Sequence, residues 1–552
     1  MGFLHVATRR VAPALAAGTV GMWATITTVN DDWDDYTTRL SPPTNSSEER
    51  EKIVILGSGW AGLNALRKLS GPGKDVVVVS PRPHFLYTPL LAGSAVGTIT
   101  LRSACEPLRA IVDSAAGRAS SATFVRADAQ DIDTNSKTVR ATTGDSAIEL
   151  QYDKLVIAVG AQPNTFGIPG VQDHALFLKE AEDSAKLHSK LLSNLEKAAA
   201  LIRVGGKGER NQKEIDRLLK VVVVGGGPTG VELAAELADF AQNDVVMRYG
   251  QDVSDRIKIV LVEAMPRILA PFDESLANVA KKHLESRGVD VRTGVAITSV
   301  GAGEGTFAPS TPRSATPEEK AAALAQAKTE DHGALVWAAG IGSRPIIKKL
   351  AKNLGQSDMR GLKVDSTLRV QGADGVYAIG DAALSGHAPT AQVAAQQGKH
   401  IGRAIRDGTD TPFEYKHAGS LCCLGQGNGI AQLLVPSEST SFNVWEAIGA
   451  PTVGPNGDQR AISGAPAFVL WRSLYWTKLL SMRSRVNLTM DWIKASLSGR
   501  DVVEPVLKRR ATIADMPSVQ SLGTALRRNP TVRLMKEKAE ETVERKKRFW
   551  IV

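Results

Sequence analysis

The 552-residue chain is poor in cysteine: Cys105, Cys422 and Cys423 are all it has. Three thiols cannot build a disulfide framework, and their spacing is not that of a zinc site. So few suit a reducing compartment without requiring one. EF-hand spacing is also missing, so calcium control through such an insert is not expected. No series of long apolar runs occurs, which excludes a polytopic membrane protein and with it a proton pump. The body lacks a strong charge of either sign. Residues 506–552 hold 12 Lys and Arg against 5 Asp and Glu, so this tail carries +7 of the net +9. A basic excess confined to a tail, without interleaved aromatics, argues against a nucleic-acid partner.

Acid is absent from residues 1–30, where Arg9 and Arg10 precede a moderately apolar run over 11–29 that ends at Asp31 and Asp32. Three readings are open: a mitochondrial-type presequence, an uncleaved single-span anchor near the minimum spanning length, or a secretory signal. A basic, acid-free start suits the first best. Residues 41–51 (SPPTNSSEERE) read as a linker.

The folded body begins at once with a strand signal, Lys52–Leu56, followed by Gly57-Ser58-Gly59-Trp60-Ala61-Gly62, a helical pattern and a second strand at 75–79. The pattern returns as the strand Val221–Val224, the turn Gly225-Gly226-Gly227-Pro228-Thr229-Gly230, a helix, and the strand 257–262. In a G-x-G-x-x-G turn the first glycine permits the bend. The second lets backbone approach a pyrophosphate, and the third lets helix and strand pack closely. The helix N-terminus then faces the phosphates. One such triplet is weak evidence; two, each between strand and helix, predict two Rossmann-like dinucleotide-binding domains in an α/β chain, fitted for one flavin (FAD) and one nicotinamide (NADH).

Glu263 closes the strand after the second turn, 33 residues beyond Gly230. A carboxylate there bonds a ribose diol and repels a 2′-phosphate, which favours NADH over NADPH. Residues 241–256, polar and loop-like, account for the extra length. After the first turn the strand ends in Ser80-Pro81-Arg82, with no acid. A serine hydroxyl bonds a ribose more weakly.

Further turns support the assignment. LVIAVGA (155–161) and LVWAAG (335–340) are buried strands meeting small-residue turns at Gly160 and Gly340. VYAIGD (376–381) ends in Gly380-Asp381, where the Asp can bond a ribityl hydroxyl and a following helix can face the pyrophosphate. Its place after the second fold implies that the chain returns to the first domain. Residues 195–218 read as a charged helical surface excursion, and 301–330 as an exposed insertion.

The segments KIVILGSGWAG (52–62), VVVSPRPHFLYTPLLAGSAVGT (77–98), VVVVGGGPTGVELAAELADF (221–240), LVWAAG (335–340), VYAIGDAA (376–383) and PTAQVAAQQGKHIG (389–402) together resemble the type II, non-proton-pumping NADH:quinone oxidoreductases over about residues 52–505. Ser-Pro-Arg after the first fold is itself a trait of that family. The resemblance implies noncovalent FAD held by Gly57, Gly59, Gly62, Ser80, Arg82, Gly160, Gly380 and Asp381. Thr88, Pro89 and Leu90 would turn beside the isoalloxazine. NADH would use Gly225, Gly227, Gly230, Glu263 and Gly340. Glu232 would lie near nicotinamide and flavin, and Gln392 and Gln396 would line the quinone tunnel. Without the resemblance, Glu232 is a helix N-terminal acid and the glutamines a polar helix stripe. Ala395 stands where some members carry a polar ring. Two electrons would pass from NADH through FAD to a membrane quinone, expected to be ubiquinone.

The stretch 467–492 (AFVLWRSLYWTKLLSMRSRVNLTMDW) sets Trp471, Tyr475, Trp476 and Trp492 among Arg472, Lys478, Arg483 and Arg485. It is too charged to span a bilayer and reads as a membrane-docking helix with snorkelling basic side chains, or as a core or dimer-interface helix. The expected division is 1–50 targeting segment and linker, 51–220 FAD-binding, 221–345 NADH-binding, 346–455 FAD-binding return with the quinone helix, 456–505 membrane-associated, and 506–552 basic tail. The tail reads as a solvated extension or as an attraction to anionic lipid. A homodimer lying peripherally on the mitochondrial inner membrane is expected, its outer face favoured by the apolar run after Arg10. Two rivals remain. A sulfide:quinone or disulfide reductase needs a redox cysteine pair beside the flavin. A flavoprotein scaffold would hardly turn over.

Overall fold

The computed structural model describes residues 50–502, except 70–72, 116–120, 205–207, 313, 435–451 and 454–458. The expectations for residues 1–49 and for the tail 506–552 lie outside the described residues.

β1 (Glu51–Leu56), α1 (Trp60–Leu69) and β2 (Lys74–Val79) form the first βαβ unit. Ile53, Val54, Ile55 and Leu56 are all buried, the continuous apolar run that a parallel strand covered on both faces requires. β3 (Ser121–Val125) and β4 (Lys154–Ile157) follow, joined by a three-stranded antiparallel meander over 128–151 instead of a crossover helix. The chain then leaves for a second sheet through α2 (Ala181–Arg203), β5 (Lys220–Val224), α3 (Pro228–Asp239), β6 (Lys258–Glu263), α4 (Glu274–Ser286), β7 (Val289–Thr293) and β8 (Ala334–Trp337). This sheet is parallel in the order β7-β6-β5-β8, with the short strand Leu176–Phe177 at its edge.

β9 (Val376–Ala378) pairs in parallel with β4, so the chain returns to the first sheet, whose order is β9-β4-β1-β2-β3. Each sheet is doubly wound, and the order reverses beside β1 and β5, where a crevice opens at the carboxyl ends. α5 (Ala391–Asp407) packs against α1 at a distance only glycine allows. A Cβ on Gly398 would stand 2.2 Å from the Ala61 carbonyl oxygen, and one on Gly402 2.5 Å from that of Ala65. The C-terminal part holds the antiparallel strands β10 (Ser420–Gly425), β11 (Asn428–Leu434) and β12 (Gln459–Gly464), then α6 (Ala465–Lys478) and α7 (Met482–Ser498).

Several expectations need correction. Residues 301–330 are exposed over most of their described length but are not a bare insertion: Glu304–Pro309 and Lys328–Asp331 are meander strands that flank a helix, and Phe307 is buried in the core of the second sheet. One well-placed aromatic suffices where composition looked polar. Residues 195–203 and 209–218 are helical, but Leu195, Ala198, Ile215 and Leu218 are buried, so only the outer face is charged. Residues 241–256 form a π-turn and two short helices rather than a loop. Asp381 is followed by a strand, Ala383–Leu384, after a single 3-10 turn, so no helix points from it at a pyrophosphate. The stretch 467–492 is not one helix but parts of two, broken at 479–481.

Candidate functional site

The two glycine turns have the same construction. Gly57 has φ +105°, and a Cβ there would lie 2.2 Å from the Ala158 carbonyl oxygen, where β4 ends beside β1. Gly225 has φ +112° and meets Ala338 at the end of β8 in the same way, at 2.9 Å. No side chain fits at either. A Cβ on Gly62 would stand 2.1 Å from the Gly57 carbonyl oxygen, and one on Gly230 1.9 Å from that of Gly225, so each helix starts pressed against its own turn. The middle glycines differ. A Cβ on Gly59 would find only Arg82 Nη2, at 3.8 Å, and one on Gly227 nothing within 4 Å. Space thus lies over the second glycine of each turn, where a pyrophosphate belongs. The residues present fit two dinucleotides.

Around the first turn, the buried hydroxyls of Ser58 and Ser80 share a hydrogen bond of 2.9 Å. Arg82 donates to Glu180 at 2.7 Å, and Arg344 reaches the same carboxylate at 3.4 Å. Glu180, unnoticed in the sequence, therefore joins the two folds. Asp381 lies 3.9 Å from Lys179 Nζ. Trp60 donates to the Thr88 hydroxyl at 3.2 Å, and the adjacent Tyr87 hydroxyl is buried with no partner. Gly160 and Gly380 both have positive φ, at 67° and 65°. At the second turn, Glu263 accepts from the N–H groups of Gly226 at 2.5 Å and Met265 at 2.7 Å. The carboxylate is thereby fixed at the mouth of the crevice. Gly340, φ +66°, lies beneath the ring of Phe166.

Glu232 lies in the first turns of α3. Its carboxylate accepts the Cys423 N–H at 3.0 Å and the Trp471 indole N–H at 3.1 Å. Burial pushes its pKa up to about 8, Glu236 adds to the rise, and the two donors oppose it. A cavity of about 30 Å³ borders it, lined also by Leu90, Thr98, Glu236 and Arg472. That is room for a water molecule or two. Arg500 holds two of the lining residues from behind, bonding Thr98 at 2.7 Å and Glu236 at 3.1 Å, and it bonds Asp244 at 2.7 Å. Burial opposes its charge, but Glu236, Asp244 and Asp239 outweigh that and hold its pKa above the ordinary value.

Gln392 and Gln396 lie on one face of α5, and both amides are taken up by the backbone of 416–419. Gln392 donates to the Gly419 carbonyl at 2.7 Å and accepts from Ala418 at 3.2 Å. Gln396 donates to the Lys416 carbonyl at 2.7 Å and accepts from its N–H at 3.0 Å. They anchor the segment that enters β10 and reaches Glu232. Their neighbour Gln397, fully buried, accepts the Gly380 N–H at 2.7 Å and donates to Ser385 at 2.8 Å. Its role is not evident from the motif around it. A glutamine on the apolar side of an amphipathic helix was the available signal.

The aromatic-basic stretch leaves Lys478 and Arg483 exposed, but its other basic residues are arranged otherwise than expected. Trp471 is buried on Glu232, and Arg472 lies between the rings of Phe468 and Trp492, at 4.5 and 4.6 Å. Arg485 donates to the carbonyls of Thr477 at 3.0 Å and Leu479 at 2.9 Å, closing the end of α6. Neither of these arginines reaches outward as a snorkelling residue. What α7 does expose is Met482, Val486, Met490, Ile493 and Leu497, spaced as one helix face. No helix among the described residues is long and apolar enough to cross a membrane. Cys422 and Cys423 are both buried, and burial drives both thiols well above their ordinary pKa. Adjacent strand residues point to opposite faces, so these two form no redox pair.

Comparison with known proteins agrees with this geometry. The pyridine nucleotide-disulphide oxidoreductase family matches residues 51–398, and the NDH2 C-terminal domain matches 417–501. The mitochondrial external alternative NADH-ubiquinone oxidoreductase of Yarrowia lipolytica is 31% identical, over 82% of this chain and 80% of its own. A mitochondrial internal alternative NAD(P)H-ubiquinone oxidoreductase of Solanum tuberosum is 32% identical, over 83% of this chain and 88% of its own. The structure of NDH2 from Plasmodium falciparum in complex with NADH superposes with a TM-score of 0.70 at 25% identity, covering 82% of this chain and all of that one. The sulfide:quinone oxidoreductase of Aquifex aeolicus, 13% identical with a TM-score of 0.55, shares the fold alone. The chain therefore belongs to the pyridine nucleotide-disulphide oxidoreductase family and, within it, to the alternative NADH-ubiquinone oxidoreductases.

Proposed function

We propose that this protein oxidises NADH and passes two electrons through FAD to ubiquinone at a mitochondrial membrane, without pumping protons. The observation that carries this is the pair of glycine cradles, each open over its middle glycine, on two sheets of one chain. Bound FAD supplies the hydride acceptor and the two-electron store. In our reading the first sheet holds FAD, with Ser80, Arg82 and Asp381 on its polar parts and Thr88 at its ring. The second holds NADH, with Glu263 on the adenosine ribose. Glu232 keeps a neutral carboxyl beside the reacting rings at neutral pH. Gln392 and Gln396 act through the 416–419 segment that they fix, and Gln397 through the Gly380 turn.

The exposed stripe on α7 is assigned to the membrane surface, and the tail to supporting it. Relatives are named for both external and internal positions. The apolar run over 11–29 favours the outer face of the inner membrane for this one. Protease added to mitochondria with ruptured outer membranes should digest it; protection would reverse that placement. A homodimer would bury part of the same stripe.

The test is steady-state oxidation of NADH and NADPH by the purified protein, with and without short-chain ubiquinone. Quinone-dependent oxidation of NADH, with little of NADPH, is expected. Flavin reduction without quinone turnover would overturn the proposal and favour a scaffold.

A further inference from the structure

The link between the sheets runs through Ala161–Pro163, which pairs antiparallel with Ile341–Ser343. Beyond it, Thr165 to Ile168 form a tight turn closed by the Ile168 N–H on the Thr165 carbonyl at 3.0 Å. Both central residues have positive φ, Phe166 at 53° and Gly167 at 71°. Such a mirror-image turn calls for Gly, Asn or Asp at its centre, and a bulky residue there is an outlier.

Phe166 is nevertheless held in place. Its N–H donates to Asn164 Oδ1 at 2.9 Å, and the Asn164 carbonyl accepts the Trp337 indole N–H at 3.0 Å. The strained backbone presents a ring that is 54% exposed. The ring lies directly on Gly340, where a Cβ would stand 2.3 Å from its edge, and its centroid is 6.4 Å from that of Trp337. A ring so exposed adds little to the core, and backbone strain of this kind concentrates at ligand clamps.

Its location says which ligand. In a doubly wound sheet the two mononucleotide halves lie on either side of the central strand. Glu263 ends β6 on one side of β5 and marks the adenosine half. Gly340 follows β8 on the other side and marks the nicotinamide half. We infer that Phe166 is a flap for the nicotinamide half of NADH, its exposed ring packing on that nucleotide above the Gly340 turn. The inference rests on the second cradle taking NADH. Because its link pairs chain from both folds, the flap is registered to the flavin side as well.

The test uses Phe166→Asn, which suits the turn and removes the ring, and Phe166→Tyr, which keeps it. FAD-loaded full-length protein is titrated with NAD+ in a calorimeter, and thermal melting is followed in parallel. Phe166→Asn should weaken NAD+ binding about fivefold or more, the scale of a lost ring–base contact, while Phe166→Tyr stays within about twofold. The melting temperature of Phe166→Asn should not fall. Unchanged NAD+ binding in Phe166→Asn, equal losses in both variants, or a melting temperature lowered with the affinity would overturn the flap. If the parent protein binds no NAD+, the reading of the second cradle fails and the flap with it.

Discussion

Glu232 should leave a signature in stability as well as in turnover. Its pKa is lifted from 4.5 to about 8, chiefly by burial. Above about pH 4.5 the unfolded chain has lost this proton, while the folded protein keeps it until about pH 8. Unfolding therefore releases a proton in that window, and this group's contribution to stability falls as pH rises through it. At roughly 1.4 kcal/mol per pH unit the full effect is about 5 kcal/mol. Glu232→Gln keeps an oxygen to accept from Cys423 and Trp471 but cannot ionise. With an unfolding entropy of about 2.1 cal/mol/K per residue, 1 kcal/mol moves the melting temperature of a body this size by about 1 °C. Between pH 5 and pH 8.5 about 4 kcal/mol of this falls due, so the variant should gain about 4 °C on the parent, whatever their difference at pH 5. Burial holds Cys422, Cys423 and Tyr475 well above their ordinary pKa values, so they stay protonated across this window in both proteins. Melting followed by circular dichroism at half-unit pH steps is the assay. Parallel curves would refute the reasoning, because they would mean that the carboxyl is solvated or already ionised.

Glu263→Gln removes the charge facing a 2′-phosphate, so kcat/KM for NADPH relative to NADH should rise about tenfold, read from steady-state kinetics with both donors. Gly62→Ala places a Cβ 2.1 Å from the Gly57 carbonyl oxygen, so the helix must retreat from its turn. The purified variant should lose flavin, seen as a lower ratio of visible to ultraviolet absorbance. Arg500→Met leaves Glu236, Asp239 and Asp244 without their shared cation and should cost about 3–5 kcal/mol, measured as a lower melting temperature. Met490→Asp with Ile493→Asp should abolish flotation with anionic liposomes while NADH-dependent flavin reduction in solution is kept.

Much of the fold was legible because parallel strands covered on both faces must be written in apolar runs, and VVVV at 221–224 can be little else. The cradles were legible for a steric reason. At Gly57, Gly62, Gly225 and Gly230 backbone already occupies the place of a side chain, so the sequence has no alternative to glycine. What stayed hidden depends on partners far away in the chain. Nothing near Glu232 announces that its carboxylate is held by residues 191 and 239 positions later. Gln392, Gln396 and Gln397 look equivalent in AQVAAQQG, yet only helical phase turns Gln397 into the core and leaves the other two to grip a loop. Asp381 was assigned a following helix because strand, Gly-Asp and helix are common partners. Here the strand Ala383–Leu384 pairs with Leu362–Lys363 and occupies that place.

The C-terminal region shows why composition misleads most where aromatic and basic residues mix. Arg472 and a snorkelling arginine have the same local sequence. The difference is whether a second helix supplies Trp492 to the other side of the guanidinium. The break at 479–481 supplies it by folding α7 back. The outward face of α7 is the stripe from Met482 to Leu497, and the inward face of α6 is Trp471 on Glu232. The two helices are therefore one unit with an apolar exterior and an acid-holding interior. Arg500, just beyond α7, clamps that unit to Thr98 of the first fold and to Glu236 of the second. The contacts that lead from α7 to Glu232 are Trp492 on Arg472 and the neighbouring Trp471 on the carboxylate.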